Sequence, residues 1–318
     1  MNFLLIGGSG YLGGRLAVWL RQQRHRVLVS GRSNNTTAGT TVNSVVPWPI
    51  RKEQLASFGY IDAVVHLASP DQRAAGADPT AFLKTSVELA WQVCELAASL
   101  RPVPVMLYLS SAHVYGTWEG TITEQTHPQP LHPYGLGKRL AEEVTLLFRR
   151  RNDVPTLCIR LSNVFGAPAK AEITQWNLLF NDLCRQAVTT DTLTLNSAGT
   201  QRRNFVTLTD AARAIDFLAA RPSDWPADGI IHVGGGMDLS ILEAAELVKS
   251  RAKVVLEKVV SIKQAASVNG TTSPPFQFSI DRLSALAFKW NNDADREIDE
   301  TLRLCARHWG SLSPCAGS

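Results

Sequence analysis

Phe3-Leu4-Leu5-Ile6 is a short apolar run that passes directly into Gly7-Gly8-Ser9-Gly10-Tyr11-Leu12-Gly13. Glycines at 7, 10 and 13 let the chain turn tightly and let backbone approach a ligand closely. Leu12, Leu16, Trp19 and Leu20 then recur at helical spacing. A buried strand, a glycine turn and a helix in that order aim free N–H groups and the positive end of the helix dipole at one point. A dinucleotide pyrophosphate fits there. Gly7, Gly10, Tyr11, Leu12 and Gly13 are therefore cofactor-binding candidates, and the chain must begin as an α/β unit.

The rest of the first half repeats the alternation. Apolar runs at 25–30, 63–68, 105–110 and 156–161 read as strands, and 79–99 and 134–150 as amphipathic helices. This pattern predicts an α/β, Rossmann-type doubly wound parallel sheet. After about residue 167 the pattern loosens. Helices are predicted at 176–187, within 205–220 and at 240–251, a strand at 230–233, and a polar, Pro-rich stretch at 264–279. Residues 1–166 are assigned to a dinucleotide-binding domain and 167–318 mainly to a smaller, irregular C-terminal substrate lobe, with part of 205–236 returning to the first. A chain of 318 residues with 45% hydrophobic and 19% charged residues can bury a large core. A net charge of +4 argues against a nucleic-acid partner, and no apolar run is long enough to span a membrane. Five cysteines without metal-ligand spacing are expected to be reduced, in a cytoplasmic protein that holds no metal.

The cofactor's identity depends on the second strand. A carboxylate at its end would bind the ribose 2′-hydroxyl of NAD. No acidic residue precedes Glu53, and the strand ends in Ser30-Gly31-Arg32-Ser33. A guanidinium binds a 2′-phosphate, so Arg32, with Ser30 or Ser33, points to NADP. NAD bound without the acid stays open.

Tyr134 and Lys138 are four apart on a predicted helix and share a face. A phenol titrates near 10, and a neighbouring ammonium is expected to bring Tyr134 toward working range. Ser111, just past the end of a strand, can hydrogen-bond the same substrate oxygen. Glycine turn, serine, tyrosine and lysine together point to hydride transfer with a nicotinamide cofactor.

On these residues the chain resembles the extended short-chain dehydrogenase/reductases, the group of sugar-nucleotide epimerases, dehydratases and reductases. Val64-Val65-His66-Leu67-Ala68 resembles the family's fourth-strand signature, which adds Leu67 and Ala68 to the cofactor site. Ser110-Ser111-Ala112-His113-Val114-Tyr115-Gly116 resembles the segment carrying the catalytic serine. Tyr134 and Lys138 match the catalytic pair, which also contacts the cofactor. Arg160-Leu161-Ser162-Asn163-Val164-Phe165-Gly166 resembles the start of the substrate lobe, and Arg202-Arg203-Asn204-Phe205-Val206 the segment whose arginine grips a diphosphate. The resemblance thus implies Asn163 and Arg203 as substrate-binding residues, with Arg202 in reserve and His113 as a further candidate.

The chain departs from that pattern in three places. Ala112 and His113 replace the dehydratases' Asp-Glu pair, Ser86 stands where an asparagine is usual, and Val46-Pro47-Trp48-Pro49 lacks an adenine-contacting aspartate. The resemblance, with Arg32 and no early acid, implies an NADP-dependent reductase of a nucleotide-diphosphate keto-sugar, in which Tyr134 protonates the oxygen. An NAD-dependent epimerase and a non-catalytic NADP-binding protein remain alternatives. Trp176 and Phe180 are expected in the core, and the helices at 79–99 and 134–150 are expected to form a homodimer interface.

Overall fold

The computed structural model describes residues 1–31, 45–50, 52–56, 58–70, 72–172, 175–265 and 276–310. Arg32, Ser33 and Cys315 lie outside the described residues. The first half alternates as the sequence predicts. Strand β1 (Asn2–Ile6) leads to helix α1 (Tyr11–Gln22), then β2 (Arg26–Gly31), β3 (Val45–Pro47) and α2 (Lys52–Ala56). Next come β4 (Ala63–His66), α3 (Gln72–Ala77), α4 (Pro79–Ser99), β5 (Val105–Ser111), β6 (Gly120–Ile122) and α5 (Pro133–Arg150). Strands β7 (Thr156–Leu161) and β8 (Asn163–Phe165) end this half. Beyond them lie α6 (Leu179–Thr189), β9 (Thr192–Leu195), β10 (Arg202–Thr207), α7 (Leu208–Ala219), β11 (Ile230–Val233) and β12 (Met237–Ser240). The chain continues through α8 (Ile241–Leu256), β13 (Ser261–Gln264), β14 (Phe276–Phe278), α9 (Asp281–Ala285) and α10 (Ala294–Trp309).

Seven strands form one sheet in the order β11-β7-β5-β4-β1-β2-β3. Every pairing in it is parallel. The order reverses between β1 and β4, and a doubly wound sheet opens its ligand crevice at that point. The central strands are closed on both faces because helices cover both. Leu16, Leu20 and the α7 residues Ala211, Ile215 and Leu218 pack on one face around Phe3 and Leu5. Val93, Cys94, Ala97 and Phe148 pack on the other around Leu4, Ile6 and Met106. Such continuous apolar strands suit a sheet buried on both sides.

The second half has its own core. Phe180, Leu183 and Cys184 of α6, Ala244 and Val248 of α8, and Ile298 and Leu302 of α10 pack together with Phe165 and Phe205. Three smaller sheets edge this lobe: β12-β10-β8, β13-β9 and β14-β6. Strand β11 leaves the lobe and joins the main sheet beside β7. Helix α6 begins at Leu179 and not at residue 176. Phe180 is buried in stacked contact with Phe165, as expected, while Trp176 precedes the helix and meets Trp309 edge-on. That contact reaches across more than a hundred residues of sequence and leaves no local periodicity. Among the described residues no helix is long and apolar enough to cross a membrane.

Candidate active site

The glycine turn closes against the carboxyl ends of β1 and β4. Gly7 has a φ of +83°, and a Cβ there would lie 2.6 Å from the Ala68 nitrogen, so no side chain fits. Leu67 and Ala68 both donate their N–H groups to the Ile6 carbonyl, at 2.8 and 2.9 Å, which fixes that edge of the turn. At Gly13 a Cβ would meet the Gly8 Cα at 2.6 Å; this glycine lets α1 lie tightly on the turn.

Gly10 is different. It precedes α1 in an extended conformation (φ −80°, ψ −172°), and its Cβ would meet only the Gly7 carbonyl, at 3.3 Å. Packing does not require glycine there. The first N–H groups of α1 have no partners within the helix and open on the same side. A pyrophosphate at this helix N-terminus accounts for both features, so the turn fits a dinucleotide. The Tyr11 side chain takes no part in that cradle. Its hydroxyl donates to the Gly166 carbonyl at 2.8 Å and accepts from Asn181 Nδ2 at 2.9 Å, which leaves only its backbone for a cofactor. The Leu12 side chain packs on the sheet core.

At the end of β2, Gly31 takes the position nearest the turn, and a Cβ on it would lie 2.6 Å from Ser9 Oγ. Ser30 Oγ is buried without a hydrogen-bond partner among the described residues. Among the described residues no carboxylate stands at this strand end.

The proton-transfer group assembles where β5 meets α5. Ser111 lies beside Tyr134, whose phenol it pulls down, and Ser111 Oγ accepts the His113 N–H at 3.3 Å. Lys138 is buried; its Nζ donates to the Leu109 carbonyl at 2.9 Å and lies 5.8 Å from the Tyr134 ring centre. The electrostatics differ from the sequence expectation. Burial pushes the Tyr134 phenol up to about 12, against the opposing pull of Ser111. The ammonium does not bring it down. Burial instead pushes Lys138 itself down to about 8, with Glu142 opposing. Both groups lose water on entering the site, and desolvation disfavours the charged form of each. His66, at the end of β4, is pushed down to about 3 by burial and then by Lys138.

The substrate-side candidates divide. His113 lies edge-on to Tyr134, with ring centres 5.7 Å apart. Arg203 lies 5.7 Å from the Trp118 ring, bonded through Nη2 to Gln201 at 2.8 Å, while Arg202 turns away to Glu243 and the Asp238 carbonyl. Arg203 is therefore the arginine left without a carboxylate partner among the described residues. Asn163 Nδ2 donates to the Asn204 carbonyl at 2.9 Å and helps tie β8 to β10. Ser86 Oγ bonds its own helix at the Phe82 carbonyl, 2.8 Å away, and is no relay in this arrangement. Sequence reasoning missed His132 and Trp118. His132 stacks near Tyr134, at 6.1 Å, and Trp118 meets His113 at 5.6 Å. A lone tryptophan in a polar loop carries no pattern to read.

The chain belongs to the NAD dependent epimerase/dehydratase family, whose model matches residues 3–234. It is 22% identical over 265 residues to the "Uncharacterized UDP-glucose epimerase YtcB" of Bacillus subtilis, covering 78% of this chain and 81% of that one. Among solved structures it resembles the UDP-N-acetylglucosamine 4-epimerase from Methanobrevibacter ruminantium M1 in complex with UDP-N-acetylmuramic acid. The TM-score is 0.78 at 19% identity, covering 96% of this chain and 98% of that one. RMD from Pseudomonas aeruginosa complexed with NADPH gives a TM-score of 0.73 at 21% identity, covering 97% and 100%. These structural likenesses show the fold. The comparisons favour the epimerase expectation over the reductase one.

Proposed function

We propose that the protein is a nicotinamide-dependent epimerase acting on a nucleotide-diphosphate sugar. The observation that carries this reading is the grouping of Ser111, Tyr134 and Lys138 at the carboxyl end of β5, two strands along the same sheet edge from the glycine turn. Ala112 and His113 support it from the negative side, because a water-eliminating enzyme needs an acid and a base there and Ala112 offers neither.

Tyr134 in its phenolate form takes the proton from a sugar hydroxyl, and Ser111 beside it hydrogen-bonds the same oxygen. Bound at the glycine turn, the nicotinamide nucleotide supplies reversible hydride acceptance. Lys138, anchored on the Leu109 carbonyl with its Nζ 5.8 Å from the Tyr134 ring centre, is placed to stabilise negative charge that develops on the Tyr134 oxygen during transfer. Tyr134 then returns the proton once the opposite face of the carbonyl is presented, which inverts one carbon with no net redox change. Arg203 binds a diphosphate oxygen through its guanidinium.

A second reading keeps the same residues but ends after one reduction. It is favoured by Gly31 standing where an NAD site has its carboxylate, and by the expectation for Arg32; both point to NADP and net reduction. Purified protein separates the two readings. Interconversion of UDP-sugar epimers without change in reduced cofactor supports the epimerase. Stoichiometric loss of NADPH with a keto-sugar nucleotide supports the reductase. Neither reaction, from protein that binds a dinucleotide, sinks both. In either reading we assign a homodimer to α4 and α5, where Trp91 (37% exposed) and Leu136 (39%) present apolar surface. Trp91→Glu is expected to yield monomer in sedimentation.

A further inference from the structure

Three side chains clamp α1 to the chain that leaves β8. Tyr11 and Arg15 are four apart and share a face of α1. The Tyr11 hydroxyl donates to the Gly166 carbonyl at 2.8 Å, and Arg15 Nη1 donates to the next carbonyl, that of Ala167, at 2.8 Å. Glu297 reaches in from α10 and completes the clamp. Its Oε1 accepts from Arg15 Nη2 at 2.8 Å and from the Thr209 N–H at 3.1 Å, and its Oε2 accepts from Arg15 Nη1 at 3.3 Å. The Thr209 hydroxyl donates to Glu297 Oε1 and accepts from Arg15 Nη2 at 2.9 Å.

The carboxylate is built into this place. Glu297 is buried, and Thr209 lies in the first turn of α7, so the positive end of that helix also faces it. Gly166 has a φ of +137°, and a Cβ on it would run into Glu297 Oε2, so glycine is what admits the carboxylate. A buried ion pair is an unfavourable way merely to join helices, because apolar side chains of similar volume often do so as well or better. Apolar contacts do not supply direction. Here the bonds end on two consecutive backbone carbonyls and on the start of α7, which fixes α1 both in rotation and along its axis. The first turn of α1 carries the N–H groups of Tyr11, Leu12 and Gly13, which have no acceptor within the helix. The helical ladder begins at Gly14, whose N–H donates to the Gly10 carbonyl at 2.8 Å.

We propose that Arg15 and Glu297 are positioning residues for the dinucleotide site. They act through α1. The pair holds its first turn at the angle at which the free N–H groups converge on one diphosphate, and ties that angle to Gly166 and Ala167. The proposal rests on the dinucleotide reading of the glycine turn, and not on which reaction follows.

The experiment titrates NADH and NADPH by fluorescence and records thermal midpoints for the wild type and four variants. Glu297→Met leaves Arg15 unpaired and is expected to lower the midpoint. Arg15→Met with Glu297→Met removes both charges. It is expected to recover most of the midpoint while its affinity for the cofactor that the wild type prefers stays about tenfold weaker or more. Arg15→Lys keeps a cation beside Glu297 but has no second arm for Ala167, and is expected to lose about threefold or more. Arg251→Met with Asp299→Leu removes a two-bond pair between α8 and α10, away from the turn, and is expected to leave affinity within about twofold. A recovered Arg15/Glu297 double variant of wild-type affinity overturns the proposal, because the pair then serves stability alone. Wild-type affinity in Arg15→Lys overturns it too, as does an equal loss in the Arg251/Asp299 control. Should the Arg15/Glu297 double variant not fold, those two variants decide. A wild type that binds neither cofactor overturns the proposal together with the reading beneath it. Failure of the epimerase reading alone looks different: the affinities follow the expected pattern while no sugar nucleotide is interconverted.

Discussion

Arg160 grips the Glu142 carboxylate with two parallel hydrogen bonds, Nε to Oε1 at 2.9 Å and Nη2 to Oε2 at 2.8 Å, and both side chains are closed to solvent. Ser110 Oγ adds a bond to Glu142 at 2.6 Å, and Arg160 Nη1 donates to the Tyr115 hydroxyl at 2.8 Å. Glu142 lies one turn beyond Lys138 on α5, and Ser110 adjoins Ser111 on β5. The pair thus fixes the helix carrying Tyr134 and Lys138 against the strand carrying Ser111. Breaking a buried pair leaves one charge unpaired, so Glu142→Ala should cost about 3–5 kcal/mol in urea denaturation. Glu142→Leu with Arg160→Met removes both charges and should cost clearly less. A double variant no more stable than the single one would contradict this account.

The glycines of the turn should separate in their effects. Gly10→Ala places a methyl where only the Gly7 carbonyl is near, at 3.3 Å, with an allowed backbone. It should shift stability by less than about 1 kcal/mol while weakening dinucleotide binding at least tenfold. Gly13→Ala drives its methyl into the Gly8 backbone and should destabilise the fold by about 1–3 kcal/mol. Thermal melts and fluorescence titration of reduced cofactor read the two effects. Equal loss of binding in both variants without loss of stability would remove the distinction.

What could be read from the sequence was what short-range spacing encodes. The apolar runs gave the strands of the sheet, and the four-residue spacing of Tyr134 and Lys138 gave their shared face. Features that depend on distant partners were not readable. Strand β6 exists because Gly120–Ile122 pairs with Phe276–Phe278. Tyr11 turns inward because its hydroxyl donates to the Gly166 carbonyl and accepts from Asn181 Nδ2. The lowered phenol expected for Tyr134 failed for a related reason. Spacing shows that a cation is near, but it does not show how completely both groups are stripped of water. One overlooked signal was present: Arg160 interrupts the otherwise apolar Thr156-Leu157-Cys158-Ile159 run, and a charge there demands a buried partner.

Two buried histidines should make the fold acid-sensitive. His232 and His66 are each pushed down to about 3, by burial first. His232 Nδ1 donates to the Ser279 carbonyl at 2.8 Å, which leaves Nε2 to accept from the Tyr115 hydroxyl. In the unfolded chain each titrates near 6.5, so below that pH the unfolded state binds more protons. Their contribution is complete above about 6.5 and is lost as pH falls toward 3, on the order of a few kcal/mol each. Denaturation midpoints should fall from pH 7 to pH 4.5, and His232→Gln, which cannot titrate, should flatten that fall. An unchanged slope in the variant would count against a neutral buried imidazole.

Lys138 should set the alkaline limb of activity. Its ammonium is held down to about 8 by burial, with Glu142 pulling the other way. As pH rises through 8 the ammonium that would stabilise negative charge developing on the Tyr134 oxygen during proton transfer is lost, so kcat/KM should fall about tenfold per pH unit above that point. Ordinary exposed lysines would give a limb only above about 10. Unfolding does not explain the fall. Burial raises the thiols of Cys94 and Cys305 to about 12, so their contribution to stability is complete below the unfolded value near 9 and is lost only above it. Circular dichroism should therefore show an unchanged fold between pH 7 and 9 while activity declines. Glu142→Gln removes the charge that supports the ammonium and should move the limb to lower pH. A limb that stays near 10 in the wild type, or does not move in Glu142→Gln, would show that the buried ammonium is not the group whose proton the reaction needs.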